Sequence, residues 1–243
     1  MCIQCAESNL FRDWKKQWEE RGDGDKVKDF IYDGVICPEE FENAICKSTG
    51  EKLRITFVLK DPNNLGEEYQ NDMRHWIRQD GASGGKASWD NIIRWTRAIL
   101  DNGCDYPEHL SSDDYFEWPK KISFMNVKKL NGIGKIPDKV IREYGERDAA
   151  LILKQLEIYT PDIIVACGGY IPWLLWEVIL PRTTTDIYDP SKDRRGYCFK
   201  TRLPSKSTDM TVICWRHPAR TFGKDRELFN EISEIAKTLL TDR

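Results

Sequence analysis

LRITFVLKDPNN, residues 53–64, passes from a run of β-branched and aromatic residues straight into a charged, proline-containing turn. Leu53 to Leu59 has the composition of a strand that packs on a pleated, buried surface. Lys60-Asp61-Pro62 ends it, because proline lacks an N–H and holds the residue before it in an extended conformation. The carboxylate of Asp61 is thereby expected at a strand tip.

The same pattern of apolar strand, abrupt polar stop and amphipathic helix recurs down the chain. Ile122 to Met125 stops at Asn126, Asp162 to Cys167 stops at Gly168-Gly169, and Met210 to Trp215 stops at Arg216-His217-Pro218. Helices are expected from Gly66 to Arg78, from Trp89 to Leu100 with Ser88 as N-cap, from Asp138 to Tyr159, and from about Lys224 to Leu240. Strands alternating with helices predict an α/β fold, a three-layer α/β/α arrangement around a mostly parallel four-stranded sheet. Residues 7–21 and Pro38 to Cys46 read as further helices, so residues 1–50 are expected as a helical extension packed on a main domain of residues 51–243.

The chain has 243 residues, 40% of them hydrophobic, enough for a sizeable core. No charged-then-apolar leader is evident, and the apolar stretch from Ile163 to Leu180 is broken by Gly168-Gly169, Pro172 and Glu177. The expectation is a soluble cytoplasmic monomer that does not engage a membrane. Eight cysteines, several inside apolar runs, suit a reducing compartment with thiols as small core residues. Cys2-x-x-Cys5 with Cys37 and Cys46 is the one set that could hold zinc or an iron–sulfur cluster. The second pair is spaced by eight residues, wider than structural zinc sites use, so free thiols are favoured and no cofactor is expected. The net charge is −3, yet residues 192–226 hold ten basic against three acidic residues, a local surplus suited to phosphate contact or simply to a solvated face.

In open α/β sheets, ligands bind beyond the carboxyl ends of the strands. Here those ends bear Asp61, Asn126, Gly168-Gly169 and His217, one of three histidines, while the strand bodies are almost wholly apolar. Taken singly, an Asp-Pro turn, a turn asparagine and a structural histidine are ordinary features. Their coincidence at successive strand ends is what points to a site.

The ordered set LKDPN, SWDNI, FMNVKK, PDIIVACGG and RHPAR, followed by a terminal helix, resembles the uracil-DNA glycosylase superfamily from about Leu53 onward. The resemblance implies a DNA glycosylase that flips a base out of the helix and hydrolyses its bond to the sugar, with Asp61 positioning or activating water and His217 stabilising negative charge on the departing base. Asn126 would read the base edge, and its amide can face either way, so uracil-like and cytosine-like edges are both readable. Ala219 to Phe222, including Arg220 and Thr221, would enter the groove that the base has left. Ser88 and Asn91 match a phosphate-contacting segment, and Lys128, Gly168, Gly169 and Arg216 fall in motifs that face DNA. Where the strict uracil enzymes wall off the pyrimidine 5-position with tyrosine, this chain has Asn63, which leaves room for a 5-substituent. The family's stacking phenylalanine has no clear match, and Trp89 and Trp76 are the candidates, either of which is equally at home in a core. The substrate so implied is a modified pyrimidine, such as glucosylated hydroxymethylcytosine of phage DNA, in a defence role. Plain uracil repair and a non-catalytic DNA-binding or damage-sensing module are the alternatives. A nucleotide-using α/β enzyme is disfavoured, since the turn after the first strand lacks a glycine-rich phosphate loop.

Overall fold

The computed structural model describes residues 2–62, 69, 71–132, 136–181 and 196–241, without the side chains of 84–87. The protein is a mixed α/β structure built on a six-stranded sheet of order β1-β3-β2-β4-β6-β5. The strands are β1 (Gly34–Val35), β2 (Ile55–Leu59), β3 (Ser123–Asn126), β4 (Ile163–Cys167), β5 (Cys198–Thr201) and β6 (Met210–Trp215). Neighbours among β3, β2, β4 and β6 run parallel, and β1 and β5 close the two edges antiparallel. Six strands therefore replace the expected four. The two additional ones are a two-residue strand and one whose four residues are only half covered, too short and too polar to carry an apolar run.

Alternation along the buried strands feeds two separate cores. Phe57, Phe124, Val165 and Ile213 pack under α4 (Lys86–Leu100) and α9 (Asp225–Thr241), whereas Val58, Met125, Ile164 and Val212 pack under α1 (Ile3–Glu20) and α7 (Ala149–Tyr159). A central sheet with both faces covered is what continuous apolar strands require.

Several boundaries move. The expected helix from Asp138 to Tyr159 is two, α6 (Asp138–Arg147) and α7, broken at Asp148, whose carboxylate accepts from Trp18 Nε1 at 3.1 Å and Arg21 Nη1 at 2.9 Å. The helix expected from Gly66 is observed as α3 (Met73–Asp80), capped by Asp72 after Asn71 at φ +59°, while residues 66–68 and 70 lie outside the described residues. Ser88 sits inside α4 rather than capping it.

The first fifty residues supply both helices and the edge strand β1. Gly34 explains the tight join. Its φ is +127°, and a Cβ there would lie 2.1 Å from Glu7 Oε1 and 2.5 Å from Tyr159 Oη, both buried. Gly34→Ala is therefore expected to cost more than about 2 kcal/mol in urea unfolding, through backbone strain and a broken buried hydrogen bond. A shift in stability below about 0.5 kcal/mol would show that the join relaxes freely.

Candidate active site

The parallel strands bring their C-terminal ends together at one rim. Leu59 is in register with Asn126, and the ladder continues past the strands, with Val127 N donating to Leu59 O at 2.9 Å and Lys128 N to Lys60 O at 2.9 Å. Asp61 follows at once. Its carboxylate lies against the backbone of Gly132, where a Cβ would come within 1.9 Å of Asp61 Oδ2, and Gly132 N donates to Pro62 O at 2.7 Å. A side chain there would push the Asp61 carboxylate aside. Asp61 Oδ2 is buried with no hydrogen-bond partner among the described residues, and burial raises the Asp61 pKa, opposed by the nearby ammonium groups of Lys128 and Lys60.

Asn126 is buried and has the complementary peculiarity: Oδ1 also has no partner among the described residues, while its backbone N and Nδ2 both donate to Asp33. Buried polar groups are nearly always paired, so these two acceptors on neighbouring strands need a partner, which a ligand or an ordered water at the rim would supply.

On the other side of β2, Gly168 turns the chain after β4 with φ +100°, its N donating to Trp215 O at 2.8 Å. The space beside its Cα is bounded by Lys60 Cε and His217 Cβ, at 3.5 and 3.8 Å from a built Cβ, while Gly169 faces open space. Lys60, ion-paired with Asp138, is thus near enough for its charge to act on both Asp61 and His217. His217 Nδ1 accepts from Ala219 N at 3.2 Å, which leaves the proton on Nε2. Burial, reinforced by the positive charges of Arg220 and Lys60, pushes the His217 pKa down to about 4. At neutral pH it is an uncharged imidazole with a single N–H to donate.

The loop after His217 is braced from below. Asn91, buried in α4, donates from Nδ2 to Pro218 O at 3.0 Å, so it holds the His-Pro turn and is not placed to meet a phosphate at the surface. Beyond it, Thr221 is buried and Phe222 is 78% exposed with φ +55°, followed by Gly223 at φ +75°. A bulky residue with positive φ is uncommon and marks a site where the surroundings impose the backbone.

Other expected site residues divide. Trp89 is buried, edge-on to Phe124 at 5.2 Å and to Trp76 at 6.4 Å, and is a core residue rather than a stacking platform. Trp76 is partly buried against the same core. Lys128 is largely buried, with Nζ donating to Leu130 O and Asn131 O at 3.2 and 3.0 Å, which commits it to shaping the loop around Asp61. Ser88 is partly exposed on α4 and Arg220 is exposed beside His217. Arg216 is part-buried, with Nε lacking a partner. Asn63, Lys192, Arg194 and Arg195 lie outside the described residues.

Within the basic segment, Arg202 pairs with Asp209, Lys206 with Asp162, Lys224 with Glu227 and Arg226 with Glu108, so much of its charge is answered within the protein. No group of three or more His, Cys, Asp or Glu side chains is placed to hold a metal among the described residues. The four cysteines do not converge as a ligand set: Cys46 is buried with Sγ 3.2 Å from Ser48 Oγ, while Cys2 and Cys5 form an exposed pair at 2.7 Å. No helix among the described residues is long and apolar enough to cross a membrane.

No family model and no curated protein matches the chain. The site therefore has to be judged on its own chemistry: a part-buried carboxylate and a buried amide oxygen at two neighbouring strand ends, with a neutral imidazole N–H and an exposed aromatic ring after β6, two strands further along the same rim.

Residues that the sequence did not single out complete the rim. Lys60 and Gly132 flank Asp61, and Asp33 and Met73 flank Asn126. Asp-Gly is a common turn dipeptide, so nothing local distinguishes Asp33, and only its 93-residue reach to Asn126 reveals its role.

Proposed function

We propose that the protein is a monofunctional DNA glycosylase that flips out and hydrolytically excises a modified pyrimidine, leaving an abasic site. The observation that carries this reading is the pair of buried acceptors with no partner among the described residues, Asp61 Oδ2 and Asn126 Oδ1, at neighbouring strand ends on the rim that also carries neutral His217. Breaking the bond from base to sugar develops positive charge on the sugar and negative charge on the base. Asp61 answers the first and orients the attacking water. His217, already neutral, answers the second through its Nε2 proton without first having to lose a charge. Each such contact is worth roughly 3 kcal/mol in a pre-organised site. Extruding the base costs a few kcal/mol, and the exposed ring of Phe222 is suited to fill the gap it leaves in the stack. The favoured substrate is a pyrimidine with a bulky 5-substituent, such as glucosylated hydroxymethylcytosine of phage DNA, and a defence role follows from it.

The experiment is to incubate the protein with duplex and single-stranded DNAs containing uracil, hydroxymethylcytosine or its glucosylated form, and to detect free base. Release from the glucosylated substrate is expected. A folded protein that releases none of these bases would refute the proposal.

The proposal also fixes a pH profile. A histidine with its pKa at about 4 stays neutral through the range in which an ordinary histidine, near 6.5, would titrate. The rate of base release is expected to show no limb near pH 6.5, and to fall only at lower pH as Asp61, whose pKa burial raises, gains its proton. Stability follows the same sign. Because His217 resists protonation when folded, its contribution is complete above pH 6.5 and is lost as pH falls toward 4. A rate limb near pH 6.5 that His217→Gln removes would contradict the assignment of a neutral imidazole.

A further inference from the structure

Lys60 is the residue at which the two halves of the rim meet. Its backbone is fixed by the ladder, with its carbonyl oxygen accepting from Lys128 N at 2.9 Å, and its side chain is only 16% exposed. Nζ is ion-paired with Asp138 in the first turn of α6, so the ammonium is held in place. Cε and His217 Cβ lie 3.5 and 3.8 Å from the position that a Cβ on Gly168 would occupy, so lysine and histidine line one gap. The charged groups that face the site come from three further segments. The loop after β3 brings Lys128, which acts on Asp61, the loop after β6 brings Arg220, which acts on His217, and α6 brings Asp138. Lys60 alone among the described residues acts on both.

We infer that Lys60, anchored by Asp138, is a positioning residue that couples the two reacting groups through its charge: one ammonium holds the Asp61 carboxylate ionised and the His217 imidazole neutral. The inference rests on the glycosylase reading of the site. A positive charge favours a neighbouring carboxylate and disfavours a neighbouring imidazolium, so a single cation has the sign that both partners in the hydrolysis need. Asp61 depends on it, because burial works against its charge, whereas at His217 it adds to the effect of burial. Asp138 matters for a second reason. An unanswered ammonium would oppose the positive charge that develops on the sugar, and the ion pair tempers that opposition while keeping Nζ near both groups. Removing the charge of Lys60 must therefore push Asp61 and His217 toward their protonated forms together.

The test uses the full chain with Lys60→Met and Lys60→Gln, which remove the charge, and Lys60→Arg, which keeps it. Lys60→Gln retains a polar end for Asp138 and serves where Lys60→Met disturbs the fold. His217 is titrated by NMR in the free protein, its ring signals identified by their loss in His217→Gln, and the pH profile of single-turnover base release is measured on the glucosylated duplex. The neutral variants are expected to raise the His217 midpoint and to move the acid limb of release to higher pH, each by about half a pH unit or more, with Lys60→Arg close to wild type. An unmoved His217 midpoint in a folded neutral variant would overturn the inference. So would Lys60→Arg shifting as far as the neutral variants, which would mark an effect of packing rather than charge. Weaker DNA binding with the acid limb unmoved would also overturn it, and would make Lys60 a phosphate contact. If wild type releases no base, the glycosylase reading falls by itself. The titration of His217, which needs no DNA, then decides Lys60: a midpoint raised in the neutral variants and kept in Lys60→Arg upholds the coupling, and any other pattern overturns it.

Discussion

Asp61→Asn is expected to lower the rate of base release by about 10²–10³-fold, roughly 3–4 kcal/mol of lost transition-state stabilisation, without lowering the melting temperature. The two halves of this expectation have one origin. Asp61 Oδ2 is buried without a partner, and burial already opposes its charge. A carboxylate so held contributes little to folding and much to a cationic sugar, and an amide of the same shape relieves the burial while supplying no charge. Activity lost together with stability would mean that Asp61 is a structural residue of the turn around Gly132, and full activity would remove it from the chemistry. Rates and thermal unfolding measured on one preparation separate these outcomes.

Lys129→Ala is expected to cost about 3–5 kcal/mol of stability, because it strands a buried partner. Lys129 is fully buried, its Nζ donating to Asp33 and Gln155 and lying 5.1 Å from the centre of the Trp14 ring. Burial pulls its pKa down, opposed by the Asp33 carboxylate, so each member of the pair depends on the other. For a chain of this size the loss corresponds to a fall in melting temperature on the order of 10 °C. A double-mutant cycle with Asp33→Asn should recover much of it, since the cost lies in the unanswered charge rather than in the removed contact. A loss below about 1 kcal/mol in the single variant would show that the cluster is wet or adaptable, and an adaptable cluster could not hold Asn126 in place.

The legible part of this molecule is the part governed by local pattern. Strands β2, β3, β4 and β6 are buried on both faces, so their runs of apolar residues announce themselves, and Pro or Gly behind β2, β4 and β6 and the polar Asn126 in β3 mark where they stop. That was enough to set Asp61, Asn126 and His217 at strand ends. Edge strand β5 has the burial of a surface ribbon and β1 is two residues long, so neither carries a periodic signal, and the sheet came out wider than expected. Trp89 failed differently. An aromatic residue on an amphipathic helix carries the same pattern whether it faces a core or a ligand, and only the contact with Phe124 decides. Asn91 likewise gave no sign that it would brace Pro218 from within. Asp33 was the hardest to foresee, because its function lies in a hydrogen bond to a residue on a different strand, far along the chain.

The central claim is that the rim of this sheet cleaves bases from DNA. Its most direct test is a duplex carrying a single glucosylated hydroxymethylcytosine, treated with wild type and with Asp61→Asn, and assayed for the free modified base by mass and for strand scission after alkali. Wild type should yield the free base and an alkali-labile site in equal amounts, with Asp61→Asn slower by about two orders of magnitude or more. Salt-sensitive binding of the duplex that persists in Asp61→Ala and Asn126→Ala, with no base released by any form, would contradict the claim and mark the fold as a DNA-binding module instead.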